Sequence, residues 1–408
     1  MNNENPKPTV LGQLVILAFI AVCAYGAWVA FQRGGGTSKT DTTPQPGAAL
    51  TAAADGGAAR PEDPSAIEIG VAYGTEKRRW IEAAVEEFST SPAGRGVRVK
   101  LIPLGSLEAA QAILRGDNKI HVWSPASALY KETFVSEWGV KNDGKNPIAK
   151  EEQLALTPMV FVTWAERNDA FIKKYGAVTF TTVAKGLGEK AGWSAIADKP
   201  EWGLFKLGHT HPNESNSGLA TLLLMAYDFT GKTRDLTLKD ILDPKFQEWM
   251  TAIENAVTGM SSSTGNMMKE MVLKGPSSYD SLFVYESVAI DFMKNAEGRW
   301  GELRVSYPKR NLWNDNPYYV LDVPWSTARH RKVAEQFLTF LLSASIQQKA
   351  IAHGFRPANP QVPVRSTGSP FVDYEKYGIQ QDIGQTCDLP RSEVINNLLQ
   401  IWQRSRQR

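Results

Sequence analysis

The chain has 408 residues, 42% of them hydrophobic and 22% charged, and at about 150 residues per domain this length supports two or three domains. Its 45 basic and 43 acidic side chains leave a net charge of +2, which excludes a strongly electrostatic partner such as nucleic acid for the chain as a whole. Two cysteines, Cys23 and Cys387, exclude a disulfide framework and a cysteine-rich metal site, and five histidines leave little room for a histidine-built centre.

Residues 1–9 form a short flank. From Pro8 to Gln32 no side chain is charged, and residues 10–31, Val10 to Phe31, supply the roughly 20 apolar residues that a membrane-spanning helix needs. Trp28 and Phe31 suit an interfacial position at its far end. A cleaved signal peptide competes with this reading, with Ala24-Tyr25-Gly26 as a small-x-small site, and lipidation at Cys23 is a third. The apolar run continues through Ala27 to Phe31, past a typical signal core, and Val22 stands where a lipidated cysteine needs a small residue. A single-pass, uncleaved anchor is therefore expected. Lys7 on one side against Arg33 and Lys39 on the other does not favour an exported body, so orientation rests on the nature of the globular body. Residues 32–64, rich in Gly, Ala, Pro and Thr without apolar periodicity, read as a flexible tether.

From Ile67 the pattern becomes regular. Ile67–Ala72 predicts a strand, and Tyr73–Trp80 turns into a helix reaching Phe88. A strand at Val97–Ile102 is followed by Gly105-Ser106 and a helix ending near Gly116. His121–Trp123 is a third strand, Ser124–Ser127 its loop, and Leu154–Thr163 a fourth strand. Phe180–Lys185 looks like a helix start. Phe205–Gly208 predicts a strand, His209–Gly218 a loop and Leu219–Phe229 a helix. Ser261–Gly265 leads into another helix, followed by strands at Ser281–Tyr285, Glu302–Tyr307 and Tyr318–Val323. Ala328–Phe355 is a long helical region with Val333, Phe337, Phe340 and Leu341 on one face. The β-α-β-α order predicts an α/β fold with a mostly parallel sheet and helices on both faces.

Ligands of open α/β sheets bind outside the carboxyl ends of the strands. Here those ends carry Tyr73-Gly74-Thr75, Gly105-Ser106, Ser124–Ser127, Ser215–Gly218 and Thr264-Gly265, all small, mostly hydroxyl-bearing, and placed before helices. Helix capping accounts for any one of them. Several at one sheet edge also present free N–H groups and positive dipole ends to a polar solute or an anion.

The run Gly105 to Gly116, followed by His121-Val-Trp-Ser-Pro-Ala-Ser127, resembles bacterial extracellular solute-binding proteins of the type II periplasmic fold, in the branch of molybdate- and sulfate-type binders. Pro212–Gly218 is similar to that family's second-lobe anion loop, and Tyr307-Pro308 with Asn316-Pro317 to its returning crossover. Phe337–Leu342, Gln347-Gln348 and Gly354-Phe-Arg-Pro-Ala-Asn359 look like its C-terminal helix and ending. The resemblance spans about Ile67 to Val364. It implies two lobes, each a mostly parallel sheet flanked by helices, joined by two crossover strands and here preceded by one transmembrane helix. Lobe 1 would comprise residues 65–157 plus 320–408, and lobe 2 residues 158–319. Carried over by position, the ligand-binding residues would be Thr75, Ser106, Ser124 and Ser127 from lobe 1, with Ser215, Asn216, Ser217, Thr264 and Tyr285 from lobe 2. It further implies a body outside the bacterial cytoplasmic membrane and an import system as partner. It implies a small polar solute or an oxyanion in the cleft, and neither cofactor nor metal.

Other signals are weaker. Ala226-Tyr-Asp-Phe-Thr-Gly-Lys-Thr233 is one residue from a phosphate-loop pattern but follows a helix, so Gly231 reads as a C-cap. His209 and His211 lack further metal ligands nearby, and no nucleophile elbow is present. Trp80 and Trp123 read as core residues, and Arg404 to Arg408 as a solvated end that could also meet lipid head groups. Glu76 and Lys77 are expected on a solvated first helical turn. Glu286 and His209 are the two candidates for an acid or base if the chain were instead a two-lobed enzyme. A scaffold or sensor subunit is the other alternative.

Overall fold

The computed structural model describes residues 65–406 except Glu297. The expected anchor at 10–31, the tether at 32–64 and Cys23 lie outside the described residues. Among the described residues no helix is long and apolar enough to cross a membrane.

The chain opens with β1 (Ile67–Tyr73), α1 (Arg78–Thr90), β2 (Val97–Pro103), α2 (Ser106–Leu114), β3 (Val122–Ser124), α3 (Lys131–Lys141) and β4 (Ile148–Gln153). It crosses through β5 (Ala155–Leu156) into β6 (Met159–Trp164), α4 (Ala165–Tyr175), α5 (Phe180–Gly188), α6 (Trp193–Ala197), β7 (Leu207–Gly208) and α7 (Asn216–Thr230). Next come α8 (Leu238–Ile241), α9 (Pro244–Ala256), α10 (Thr264–Lys274), β8 (Ser281–Tyr285), α11 (Glu286–Ala296), β9 (Leu303–Ser306) and β10 (Arg310–Asn311). The return brings β11 (Pro317–Leu321), α12 (Ala328–Leu341), α13 (Ala344–Ala352) and β12 (Arg356–Pro357), then α14 (Pro370–Asp373), β13 (Gln385–Thr386) and α15 (Ser392–Arg406).

Two main sheets result, ordered β2-β1-β3-β11-β4 and β7-β8-β6-β9. Both are mixed. The parallel pairs expected from the βαβ order are β1–β2, β1–β3 and β7–β8. The antiparallel ones involve β11 against β3 and β4, and β6 against β8 and β9. β6 and β11 are the strands that enter each sheet directly from a crossing, without a helix to reverse their direction. β1 lies inside the sheet between β2 and β3, and its last five residues are buried. On one face of the first sheet α1 packs Trp80, Ile81, Ala84 and Phe88 inward, and the Phe88 ring meets Phe337 at 5.0 Å and Phe340 at 5.2 Å on α12.

The expected strand Leu154–Thr163 is two strands, because Thr157-Pro158 is taken up by the crossing, and Pro158 has no N–H for a ladder. The helical region 328–355 breaks at Leu342-Ser343 into α12 and α13. Gly231, at φ 74° after α7, is the C-cap that its position suggested.

The C-terminal segment differs from the lobe 1 assignment of 320–408. β13 pairs with β10, and the Asp388 N–H bonds Thr233 O, while α15 packs on α7, α8 and α9 of lobe 2. Val394, Ile395, Leu398, Ile401 and Trp402 bury the helix's apolar stripe there. The stripe is plain in the sequence, whereas the lobe it covers is set by a helix surface far away in the chain.

His121 ends the segment before β3 and is buried, with Nδ1 accepting the Gly70 N–H at 3.0 Å and its ring 4.3 Å from that of His330. Burial, then the neighbouring His330, pulls its pKa down to about 4, against which a bond to Lys119 backbone and the Glu68 charge act weakly. Because the folded pKa lies below the usual 6.5, the neutral ring stabilises the fold above that value and the contribution is lost as pH falls from about 6.5 to about 4. The loss amounts to at most about 3 kcal/mol. Denaturant unfolding at pH 7.5 and pH 4.5 is expected to show a smaller acid-induced drop in His121→Gln than in the parent, and equal drops would refute the assignment.

Candidate functional site

Two stretches connect the lobes, and they are bonded to each other. Thr157 and Asn314 exchange both backbone hydrogen bonds at 3.0 Å, and the Leu154 N–H bonds Asn316 O. Asn314 Nδ2 donates to Thr157 O, and Asn316 Nδ2 to Ala155 O and Asn314 O. Asn314 and Asn316 are buried, and Asn316 adopts φ 42°, a left-handed conformation that asparagine tolerates better than most side chains.

Beside these crossings the ends of the two sheets face one another across a cleft. Gly74, Thr75, Glu76, Gly105 and Ser106 line it from lobe 1, and Ser215, Asn216, Ser262, Ser263, Thr264 and Tyr285 from lobe 2. The first turns of α2, α7 and α10 converge on it, as strand-to-helix connections at one sheet edge must. The walls touch. Thr75 Oγ1 lies 3.0 Å from Ser263 Oγ, and Ser127 Oγ donates to Asn216 Oδ1 at 2.6 Å. A Cβ on Gly105 would stand 2.7 Å from Glu214 O, so only glycine allows this approach of the lobes. The enclosed space is about 10 Å³, roughly what one water needs.

Six of the nine residues expected from the sequence line the cleft: Thr75, Ser106, Ser215, Asn216, Thr264 and Tyr285. Asn216 is the centre of their network, with Nδ2 donating to Tyr285 Oη and to Asn314 Oδ1, each at 3.0 Å. Ser127 reaches the network through Asn216 rather than lining the space itself. Ser217 lies one layer behind, where its hydroxyl meets Thr210 and Thr264 at 2.6 Å and Ser215 at 3.2 Å. Ser124 is buried away from the lining, and its Oγ makes no hydrogen bond to any described residue. Ser106 is held from behind: its Oγ accepts the Ala126 N–H, and its carbonyl accepts Trp123 Nε1–H. Trp80 and Trp123 are core residues, as expected.

Glu76 and Lys77 depart from expectation. Lys77 has no exposed surface, and its ammonium donates to Glu76 Oε1 at 2.6 Å, Pro125 O at 3.1 Å and Asn316 Oδ1 at 3.1 Å. Burial lowers its pKa, with Glu76 opposing. Glu76, 6% exposed, lines the cleft instead of a solvated turn. The short turn Thr75–Lys77 precedes α1 and aims both side chains inward, which the helical periodicity of α1 alone does not reveal. Burial and then the Glu76 charge push the Tyr285 phenol well above its usual range, so it remains a neutral hydroxyl. Ser262 and Ser263 are further lining residues that the sequence reading passed over in favour of Thr264, although Ser263 is the helix cap.

Neither candidate acid or base lies in the cleft lining. Glu286 is fully buried, accepting Arg356 Nη2–H at 2.8 Å and Nε–H at 2.9 Å as well as the Tyr307 hydroxyl. His209 is fully buried beside Glu254, which it meets at 3.1 Å, and Glu254 also accepts the Trp402 indole N–H. Burial opposes its charging, but the Glu254 carboxylate wins and holds the imidazole above its usual pKa. Among the described residues no group of His, Cys, Asp or Glu side chains could hold a metal ion.

The profile of bacterial extracellular solute-binding proteins matches residues 69–356. The chain belongs to that family. Among solved structures, a periplasmic thiamin binding protein superposes with a TM-score of 0.58 at 14% identity, covering 84% of this chain and 97% of its own. The sulfate-binding protein SubI of Mycobacterium tuberculosis gives 0.56 at 14% identity, with 80% and 95% covered. A ferric binding protein from Campylobacter jejuni gives 0.55 at 12%, with 83% and 99% covered. At these identities the likeness establishes the two-lobed fold that the solute-binding family shares. No curated protein sequence matches the chain significantly.

Because Glu286 serves a buried ion pair, removing its charge leaves Arg356 uncompensated. Glu286→Gln is expected to lower unfolding stability by about 3 kcal/mol or more in denaturant titrations. A change below about 1 kcal/mol would show that the pair is not what holds β12 to α11.

Proposed function

We propose that this chain is a membrane-tethered, non-catalytic solute-binding protein whose two lobes capture a small polar solute outside the cytoplasmic membrane and present it to an import system. The observation that carries the reading is the convergence of three helix N-termini and a set of hydroxyl and amide side chains from both lobes on one cleft beside the crossings. Side chains of this kind recognise a polar solute by hydrogen bonds, and relative motion of lobes about two short connections encloses it. Family membership supports an extracytoplasmic body. The uncharged run of residues 10–31 supports the tether, and an uncleaved tether would keep the protein beside a fixed membrane partner.

A ligand that binds the folded state alone, at 100 times its dissociation constant, stabilises that state by about 2.7 kcal/mol. Thermal unfolding of the full chain in mild detergent against oxyanions, sugars, amino acids and amines is therefore expected to reveal one responsive class, with the shift abolished in Asn216→Ala. Mass spectrometry of membrane-extracted protein is expected to recover peptides from residues 1–31. Their loss would replace the anchor by a cleaved leader.

One observation favours a second reading, a scaffold or sensor subunit that engages a protein partner. The lobes bond each other directly through Thr75–Ser263 and Ser127–Asn216, and the cleft encloses only about 10 Å³. A flat response to every solute class would support it.

A further inference from the structure

We propose that the solute taken by this cleft carries a hydrogen-bond-donating cationic nitrogen, received by Glu76, and is not an oxyanion; this rests on the solute-binding reading above. Glu76 Oε1 is engaged by Lys77, whereas Oε2 has no hydrogen-bond partner among the described residues, and the side chain lines the cleft. A carboxylate whose side chain is only 6% exposed and whose second oxygen has no donor favours a ligand that supplies one, and a charged donor most of all.

The lining offers no cation in return. No arginine, lysine or histidine is among the residues bordering the cleft. Lys77 lies behind Glu76 with its three N–H donors directed to Glu76, Pro125 and Asn316, so none is left to meet an anion. Other charges near the cleft add to the negative side. The Asp315 carboxyl receives the Ala128 N–H, Glu108 caps the Gly105 N–H, and Glu214, exposed one residue before Ser215, lies 3.7 Å from the His211 ring.

The helix N-termini that would favour an anion share the cleft with Glu76, so the chain supplies its own. Their positive ends and Lys77 offset the desolvation of the Glu76 carboxylate. A second negative charge from an oxyanion would then meet Glu76 at close range in a site shielded from water. A solute that parts Thr75 from Ser263 gains their two hydroxyls for the rest of its polar groups.

The test uses the full chain in detergent and measures unfolding midpoints and calorimetric affinities for putrescine, arginine and ethanolamine, for sulfate and molybdate, and for glucose. The expected result is binding of at least one of the three amines and of neither oxyanion, weakened about ten-fold or more in Glu76→Gln. Because Glu76→Gln leaves Lys77 without its counter-charge, the double variant Glu76→Gln/Lys77→Met is measured alongside. It removes both charges and is expected to lose the amine equally. Binding of an oxyanion or glucose that is lost in Asn216→Ala but kept in the Glu76 variants would overturn the cationic assignment while leaving the solute-binding reading intact. Amine binding that survives both Glu76 variants would overturn it too. No response to any of the six compounds would overturn both readings.

Discussion

The constraint on which the cleft depends is the burial of one ammonium group. An isolated lysine removed from water would cost several kcal/mol, and it persists only where each of its donors has a partner with good geometry. Lys77 meets this condition with three acceptors drawn from different parts of the chain: the adjacent Glu76, the carbonyl of Pro125 after β3, and the Asn316 amide in the returning crossing. Fixing these three acceptors around one nitrogen fixes the end of β1 and the loop after β3 relative to the connection between the lobes. The Glu76 carboxylate faces the cleft as a consequence.

From Asn316 the same logic extends through a chain of amides. Asn316 bonds both crossings, Asn314 closes the Thr157 bridge and accepts from Asn216, and Asn216 reaches Tyr285 and Ser127. Asparagine suits this task because its amide both donates and accepts, so one residue can satisfy two elements at once. Neighbours in the cleft and neighbours in the crossings thus belong to a single network, and a side chain that moves in one alters the hydrogen bonds available in the other.

The sequence made the strands and helices readable because their burial follows periodicity: Trp80, Ile81, Ala84 and Phe88 form the inner face of α1 as their spacing requires. The hydroxyl-bearing turns were readable for a related reason, since residues that cap helices at one sheet edge must lie near one another. Glu76 and Lys77 were not. Charged residues at the start of a helix nearly always face water, and only the distant acceptors Pro125 and Asn316 make burial of this lysine favourable. The destination of α15 was hidden likewise. Its apolar stripe is local information, while the surface of α7 and α9 that receives it is not.

The energetics of closure follow from the same contacts. At the cleft, Thr75 to Ser263 and Ser127 to Asn216 link neutral groups of the two lobes, whereas the charged pairs Arg79–Asp291 and Arg356–Glu286 join the lobes elsewhere. The neutral bonds contribute about 0.5–1.5 kcal/mol each once exchange with water is counted, so a solute that brings its own bonds replaces them at small cost. A charged donor reaching the free oxygen of Glu76 makes a stronger bond than either. A carboxylate oxygen left for a ligand therefore biases the pair of lobes toward the arrangement in which that oxygen and the ligand's donor meet.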